Sequence, residues 1–570
     1  MGDIKEMQEL PSWQQMEEMA GALRTIAANT GSGVDDVLDR SMMELLDGTN
    51  TTRVFWSWYT RAKQTEENRY KLLVRFGKML ATSCSATYTL RKYSPEVSST
   101  TTLTALDDLA GKDKPKLYIE TDKSETEWID EDPMCWYIRA NALSLADGTM
   151  NVMAIEGEDA FDVSGELAPV YSFALALYVK EWDDGSYGYK SFRTVPMSGY
   201  EKRAEAIAPD GSRRVLTWHP AFPGGLNTKG GLTSGAGKPA CIFVSAQDGI
   251  KKARTVSAYE GLWCDCDTEW ILDMWQLRHW DLENSGIAEG CTNYNLQPMV
   301  AVAETGVKRV LLKVSDGAGF IVGSSVAVGD MGSETNKDRN LGYMRNKVSL
   351  ARISSKEDVV VSGTTYTALN LELSTTIDTT TTCCVSTMPW TSGVTEQLPQ
   401  HKDGALISLT GGKAPIRIAG VEMMHGAYDI GLDPLYNVTK NADGKTFDYT
   451  VKTCRDSEKL SGYITADYKD TGISYTAMAS GWNWVKKFKQ NSMGIIFPET
   501  LGGNSSGWYK SAFVGSGYAG VRCPWRFGYL NNGAGAGLAC EAGDVGPSGA
   551  LWDGRPRLSG AGKKRGELTA

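Results

Sequence analysis

The residues best able to do chemistry in this 570-residue chain are its four histidines and eleven cysteines. His219, His279, His401 and His425 stand far apart. None is grouped with a nucleophile and an ordering carboxylate, as a hydrolase would need, and no close pair of acids suggests glycoside chemistry. His219 precedes Pro220 and reads as structural. Cys264/Cys266 and Cys383/Cys384 are too close to form the two halves of a zinc knuckle, which needs a fourfold cluster at regular spacing. The cysteines read as buried thiols of a protein made in a reducing compartment. Asp433, Asp443 and Asp448 are scattered in a loop and read as solvated, whereas a calcium site needs clustered oxygen ligands. The sequence therefore predicts no catalytic residues, no metal and no cofactor.

Chemistry of another kind gathers towards the C-terminus. Trp482, Trp484, Trp508, Trp525 and Trp552 punctuate a segment otherwise rich in Gly, Ser and Asn, and residues 502–562 contain 16 glycines. A flexible Gly-Ser linker would lack such aromatic and arginine anchors. The composition predicts an ordered, turn-dominated surface suited to binding.

The rest of the chain must carry that surface. Lys and Arg number 59 against 69 Asp and Glu, a net charge of −10, which offers no electrostatic footprint for nucleic acid or for an anionic membrane. No run of about 18 apolar residues is present, so no membrane insertion is predicted. The opening MGDIKEMQEL lacks a basic segment followed by an apolar one, so no secretion signal is predicted. The length implies several domains. Residues 1–95 read as helical: Met16, Met19, Ala20, Leu23 and Ile26 build one apolar face, a second helix is expected over 35–45, and a third over 53–80. This part is read as an attachment and oligomerisation region. Residues 96–205 read as a β-rich domain, with Asp147-Gly148 and Asp184-Gly185 as hairpin turns. A helix carrying Trp270, Met274, Leu277 and Trp280 is expected after an N-cap at Asp267. Residues 306–394 read as a further β block, a small barrel or sandwich, with Thr379–Thr382 as a strand or a turn.

The segment Val521-Arg522-Cys523-Pro524-Trp525-Arg526-Phe527-Gly528-Tyr529-Leu530-Asn531-Asn532-Gly533, continuing through Gly537-Leu538-Ala539-Cys540 to Trp552-Asp553-Gly554-Arg555-Pro556-Arg557-Leu558, carries a resemblance. It resembles the variable C-terminal region of proteins diversified by diversity-generating retroelements. Those proteins share the C-type-lectin fold of phage tropism determinants and of formylglycine-generating enzymes. Ile416-Arg417-Ile418-Ala419-Gly420-Val421-Glu422 with His425-Gly426, and the Trp helix with Gly290 beyond it, resemble earlier parts of that fold. The resemblance implies a multidomain α+β chain: a helical N-terminal region (1–95), a β-rich middle domain (96–205), a C-type-lectin-like domain (206–305 plus 395–562) and an inserted β domain (306–394). The chain departs from the enzymes of that fold, whose reactive cysteines are a close pair; Cys523 and Cys540 are separated and differently placed. It also lacks the Glu-Pro-Asn and Trp-Asn-Asp triplets of sugar-binding C-type lectins, since Trp482-Asn483-Trp484 has no Asp.

Such retroelements alter template adenines, so a randomised Asn codon yields Gly, Ala, Val, Leu, Asp, Tyr or Ser but not Lys, Glu, Gln, Met or Trp. Gly515, Tyr518, Tyr529, Gly535, Ala542, Asp544, Val545, Gly549, Leu551 and Asp553 all belong to the reachable set and form the expected variable face. Arg522, Trp525, Arg526, Trp552, Arg555 and Arg557 are the expected scaffold, with the tryptophans filling the core beneath the loops and the arginines tying down turn carbonyls. What the resemblance implies is a non-enzymatic, tail-fibre-type receptor-binding protein of a phage virion, made in the host cytoplasm. It would present its face to a host cell-surface receptor, protein or glycan, and dock to other virion proteins through residues 1–205, with a homotrimer adding avidity. The alternatives are a structural virion decoration or fibre protein with static contacts, and a variable binding protein displayed by a prophage or a bacterial surface.

Overall fold

The helix Asp265–His279 is buried along its whole length, although six of its fifteen residues are charged or histidine. Its start is fixed by a reciprocal cap: the N-cap is Cys264, and the Asp267 carboxylate, three residues on, accepts a hydrogen bond from the Cys264 N–H at 3.0 Å. Asp267 is thus the third helical residue and not the expected cap. The helix ends where Trp280 takes a left-handed conformation. Burial on every side is tolerable because each charge meets a partner from a different part of the chain. Asp265 pairs with Arg526 at 2.6 Å and Asp267 with His219 at 2.7 Å. Glu269 pairs with Lys190 and Arg203, both at 2.8 Å, and these two cations also reach Asp273. Arg278 joins Asp130 and Asp403. The helix is the hub on which the other elements are assembled.

The structure is a computed structural model and describes residues 34–122, 126–398, 402–406, 410–478, 482–488, 497–503, 512–515 and 518–560. The expected stripe from Met16 to Ile26, His401 and Trp508 lie outside them. The chain is multidomain and mostly β, with seven α-helices among the described residues. None of those helices is long and apolar enough to cross a membrane.

Near the N-terminus, helices Val34–Met43, Thr51–Ala62 and Arg69–Ser83 take the place of the two expected over 35–45 and 53–80. The long one is divided because Asn68 caps a new start, accepting from the Lys71 N–H at 3.1 Å. Phe55 and Phe76 pack with Trp136 from the β region, and Trp58 packs with Phe76, so these helices share a core with it. The strand Tyr88–Lys92, inside the expected helical region, pairs with Gly188–Arg193 in a five-stranded antiparallel sheet. A second, four-stranded sheet runs Leu216–Pro220, Val170–Leu175, Tyr137–Ser144, Met150–Ile155. Its first strand, with Trp218 and His219, comes from beyond residue 205, so the β unit extends past the expected boundary. The hairpin turns at Gly148 and Gly185 are present, each glycine at positive φ.

Strands Arg309–Lys313, Thr364–Leu371, Val348–Val361, Ser325–Asp330 and Cys383–Met388 form a five-stranded antiparallel sheet in that order, with its own core. Residues 299–302 hydrogen-bond to Cys383 on one edge and Leu311 on the other, closing the sheet into a barrel that begins earlier than residue 306. The threonine run is the turn that precedes the last strand.

The C-terminal half is built on a nine-stranded mixed sheet of short strands, among them Gly261–Cys264, Tyr428–Asp433, Trp525–Arg526, Glu541–Ala542 and Ala512–Val514. Gly and Pro interrupt the sequence often enough that no strand of this sheet exceeds seven residues among the described ones, and the linking loops carry the surface. A four-stranded sheet, Lys469–Met478, Thr446–Thr453, Leu435–Lys440 and Gly520–Arg522, flanks it.

Candidate binding face

The base of the face is a set of buried ion pairs. Arg526 lies between Asp265 and Glu541, 2.6 Å from each, and all three are almost wholly buried. Burial pushes both carboxyls up, against the pull of Arg526. Arg555 and Arg557 share Asp429, at 3.1 and 2.8 Å. Against the cost of burial, Arg557 and Arg555 together hold the Asp429 carboxyl below its usual range. Arg557 also donates to the Pro220 and Glu422 carbonyls, both at 3.0 Å, and its guanidinium lies 4.4 Å over the Trp263 ring.

The expectation that the arginines tie down carbonyls holds for Arg522, which donates to Tyr518 O at 3.0 Å and Ala519 O at 3.1 Å. It holds in part for Arg557. For Arg526 and Arg555 it is corrected: their partners are carboxylates, because a guanidinium taken out of water needs an opposite charge. Trp525 and Trp552 are both buried, as expected. Trp525 packs 5.9 Å from Tyr428 and closes over Gly554, where a Cβ would stand 2.2 Å from the ring.

The ten expected face positions separate into three groups. Tyr518 is 77% exposed, and Asp544 is exposed. Tyr529, Val545, Gly549, Leu551 and Asp553 are half-buried, and the side chains of Tyr529, Val545 and Leu551 are set on the core with part of each surface facing out. Gly515, Gly535 and Ala542 are buried and do not belong to an open face. A Cβ on Gly515 would stand 2.2 Å from the Met478 carbonyl, and one on Gly535 would stand 2.5 Å from the Trp482 ring. Ala542 sits in a strand between Val514 and Trp525. These three residues are small because neighbours occupy the space, a constraint that residue type alone does not separate from free variation.

Three of the outward positions, Tyr529, Val545 and Leu551, pack on one core cluster. Tyr529 packs 5.5 Å from Trp552 and 5.3 Å from Tyr428. Its N–H donates to Asn532 Oδ1 at 2.7 Å, which sets the turn that presents the ring. Gly549 N–H bonds to Gly546 O at 2.8 Å, the Val545 carbonyl accepts from Cys523 N–H, and the Asp553 carbonyl from Tyr428 N–H. The barrel supplies a wall that the sequence did not reveal: Arg339 lies 4.5 Å over the Trp552 ring, and Asn340 Oδ1 accepts from the Trp552 N–H at 3.2 Å. The polar run Asn336-Lys337-Asp338-Arg339-Asn340 reads as a loop, but nothing in it points to a tryptophan more than 200 residues away.

Elsewhere, the described histidines are held in the core. His219 is bonded to Asp267 and, through its other ring nitrogen, to Thr217 at 2.9 Å. His425 meets Glu422 at 2.5 Å, and burial holds its pKa down at about 4. The Cys523 thiol is buried and pushed up to about 12, and Cys540 is likewise buried and raised. Among the described residues, no group of three His, Cys, Asp or Glu is placed to hold a metal ion.

No protein-family model matches this chain, and no curated protein matches it in sequence. The functional reading rests on the geometry of the face.

Proposed function

We propose that this is a receptor-binding protein of a virion, of tail-fibre type, whose C-terminal C-type-lectin-like head presents a diversified surface to a bacterial host. The N-terminal helices and β sheets attach it to other virion proteins, and a trimer multiplies a weak contact. One observation carries the reading. Tyr529, Val545 and Leu551 pack on one core cluster with part of each surface turned outward, Asp544 and Asp553 beside them in sequence also keep exposed surface, and buried charge pairs in which none of the five takes part hold the fold. Such an arrangement lets side chains change while the fold stays fixed. Tyrosine adds contact area with few rotors to freeze, and aspartate adds adaptable polar contacts.

The test is attachment of the purified protein to cells of the host bacterium, measured for the unaltered chain and for the paired substitution Tyr529→Ala with Leu551→Ala. A loss of cell binding with virion assembly intact supports the reading. Normal attachment together with failed assembly would instead assign the head a static, structural role.

A further inference from the structure

Asp553 is a carboxylate at the rim of this face that takes part in no ion pair among the described residues. The residue keeps part of its surface, but its Oδ1 is shielded from water and has no hydrogen-bond partner in the structure. No ion pair involves Asp553 among the described residues, although most buried charges in this chain have one. Asp544 on its own face and Asp338 and Arg339 from the barrel act on it electrostatically, as Asp553 does on the Tyr529 hydroxyl. Two of those are further carboxylates. The one cation, Arg339, is committed elsewhere: its Nε donates to Thr387 O at 2.9 Å, its Nη2 to Asn295 Oδ1 at 2.6 Å, and its plane covers Trp552. Burial, with repulsion from Asp544 and Asp338 and against a hydrogen bond from its own backbone N–H, pushes the Asp553 carboxyl up to about 6, so it is mostly ionised at neutral pH.

We infer that Asp553, with the aromatic and apolar surface beside it, receives the cationic end of a lysine or arginine side chain from a protein ligand. A half-buried carboxylate with one shielded oxygen and no ion pair costs stability in the free protein and is relieved by an incoming cation. That surface suits such a guest. Tyr529, Leu551 and Trp552 offer apolar and aromatic surface to a methylene stem, while the charged end reaches the carboxylates. Arg339 on Trp552 shows that a guanidinium already seats against this wall. The inference deepens the reading of this region as a binding face and rests on it.

The experiment titrates the full chain with Nα-acetyl-arginine amide and Nα-acetyl-lysine amide, following chemical shifts or heat. Nα-acetyl-citrulline amide is the neutral control. The expected result is millimolar binding of the two cations, at least ten-fold weaker binding of the citrulline compound, and at least ten-fold weakening of the cations in Asp553→Asn. Asp553→Asn is also expected to melt at a higher temperature than the unaltered protein, since it removes an unpaired charge. Asp544→Asn, at an exposed position, is expected to leave the melting temperature near that of the unaltered protein and to weaken the cations by a smaller factor. Equal binding of arginine and citrulline compounds, cation binding unchanged by Asp553→Asn, or a lowered melting temperature in that variant would each overturn the inference. If the cations fail to bind while host-cell attachment still depends on Tyr529 and Leu551, only the role of Asp553 is refuted and the binding face stands.

Discussion

The guanidinium of Arg339 lies 4.5 Å above the indole of Trp552, and this contact joins the inserted barrel to the C-terminal face. Both residues are buried, and Asn340 adds a hydrogen bond to the Trp552 backbone beside them. The barrel is therefore a wall of the face and not a detached appendage. Arg339→Ala removes the stacked cation and leaves the Thr387 carbonyl without its donor. The expected cost is about 2–3 kcal/mol in urea denaturation. Arg339→Lys should recover little of it, because an ammonium does not reproduce the planar fork. Hydrogen exchange at the Trp552 amide should accelerate in both variants.

The glycines under the face are predicted to be more sensitive than the tyrosine on it. Gly515→Ala drives a Cβ against the Met478 backbone carbonyl, and Gly535→Ala drives one against the Trp482 ring. Overpacking of this kind costs about 1–3 kcal/mol. Tyr518→Ala, at a position 77% exposed, should fall within about 0.5 kcal/mol of the unaltered protein. Thermal melting of the three variants checks the order.

Asp429 holds two guanidiniums at once. Asp429→Asn leaves Arg555 and Arg557 buried without a counter-charge, and a loss of about 3–5 kcal/mol is expected. Chemical denaturation measures it, and a loss below about 1 kcal/mol would show that the base of the face does not depend on this pair.

Glu260 makes stability depend on pH. It is fully buried, accepts from the Ser144 N–H at 3.0 Å and the Tyr171 hydroxyl at 2.5 Å, and burial pushes its carboxyl up to about 7. Its unfolded value is near 4.5. Between the two the unfolded chain has lost the proton and the folded one keeps it, so this contribution is complete below about 4.5 and declines as pH rises towards 7. The steepest decline is about 1.4 kcal/mol per pH unit. Glu260→Gln should remove that slope, measured as the difference between the two proteins' denaturation midpoints across this range. A difference that does not vary with pH would contradict the assignment.

Local signals in the sequence were the most legible. The Asp-Gly hairpins, the Trp helix and the strands of the barrel follow from turn chemistry and periodicity, and the structure has them. What could not be read was pairing across long separations. Nothing near Arg526 points to Asp265, and nothing near Trp552 points to Arg339, because a buried charge chooses its partner through the fold and not through neighbouring residues. The same limit misplaced the domain edges, since Tyr88–Lys92 and Leu216–Pro220 join sheets whose other strands lie on the far side of the expected boundaries. Gly515, Gly535 and Ala542 have the residue types of a variable surface but are small for packing reasons.

The most direct test of a diversified binding face is deep sequencing of the gene segment encoding residues 512–560 across a population of its source. The account predicts variation concentrated at Tyr518, Tyr529, Asp544, Val545, Leu551 and Asp553, in codons derived from template adenines, with Arg526, Asp429 and the buried Gly515 and Gly535 constant. A uniform sequence, or variation spread evenly through Trp525, Arg526 and Arg555, would contradict it.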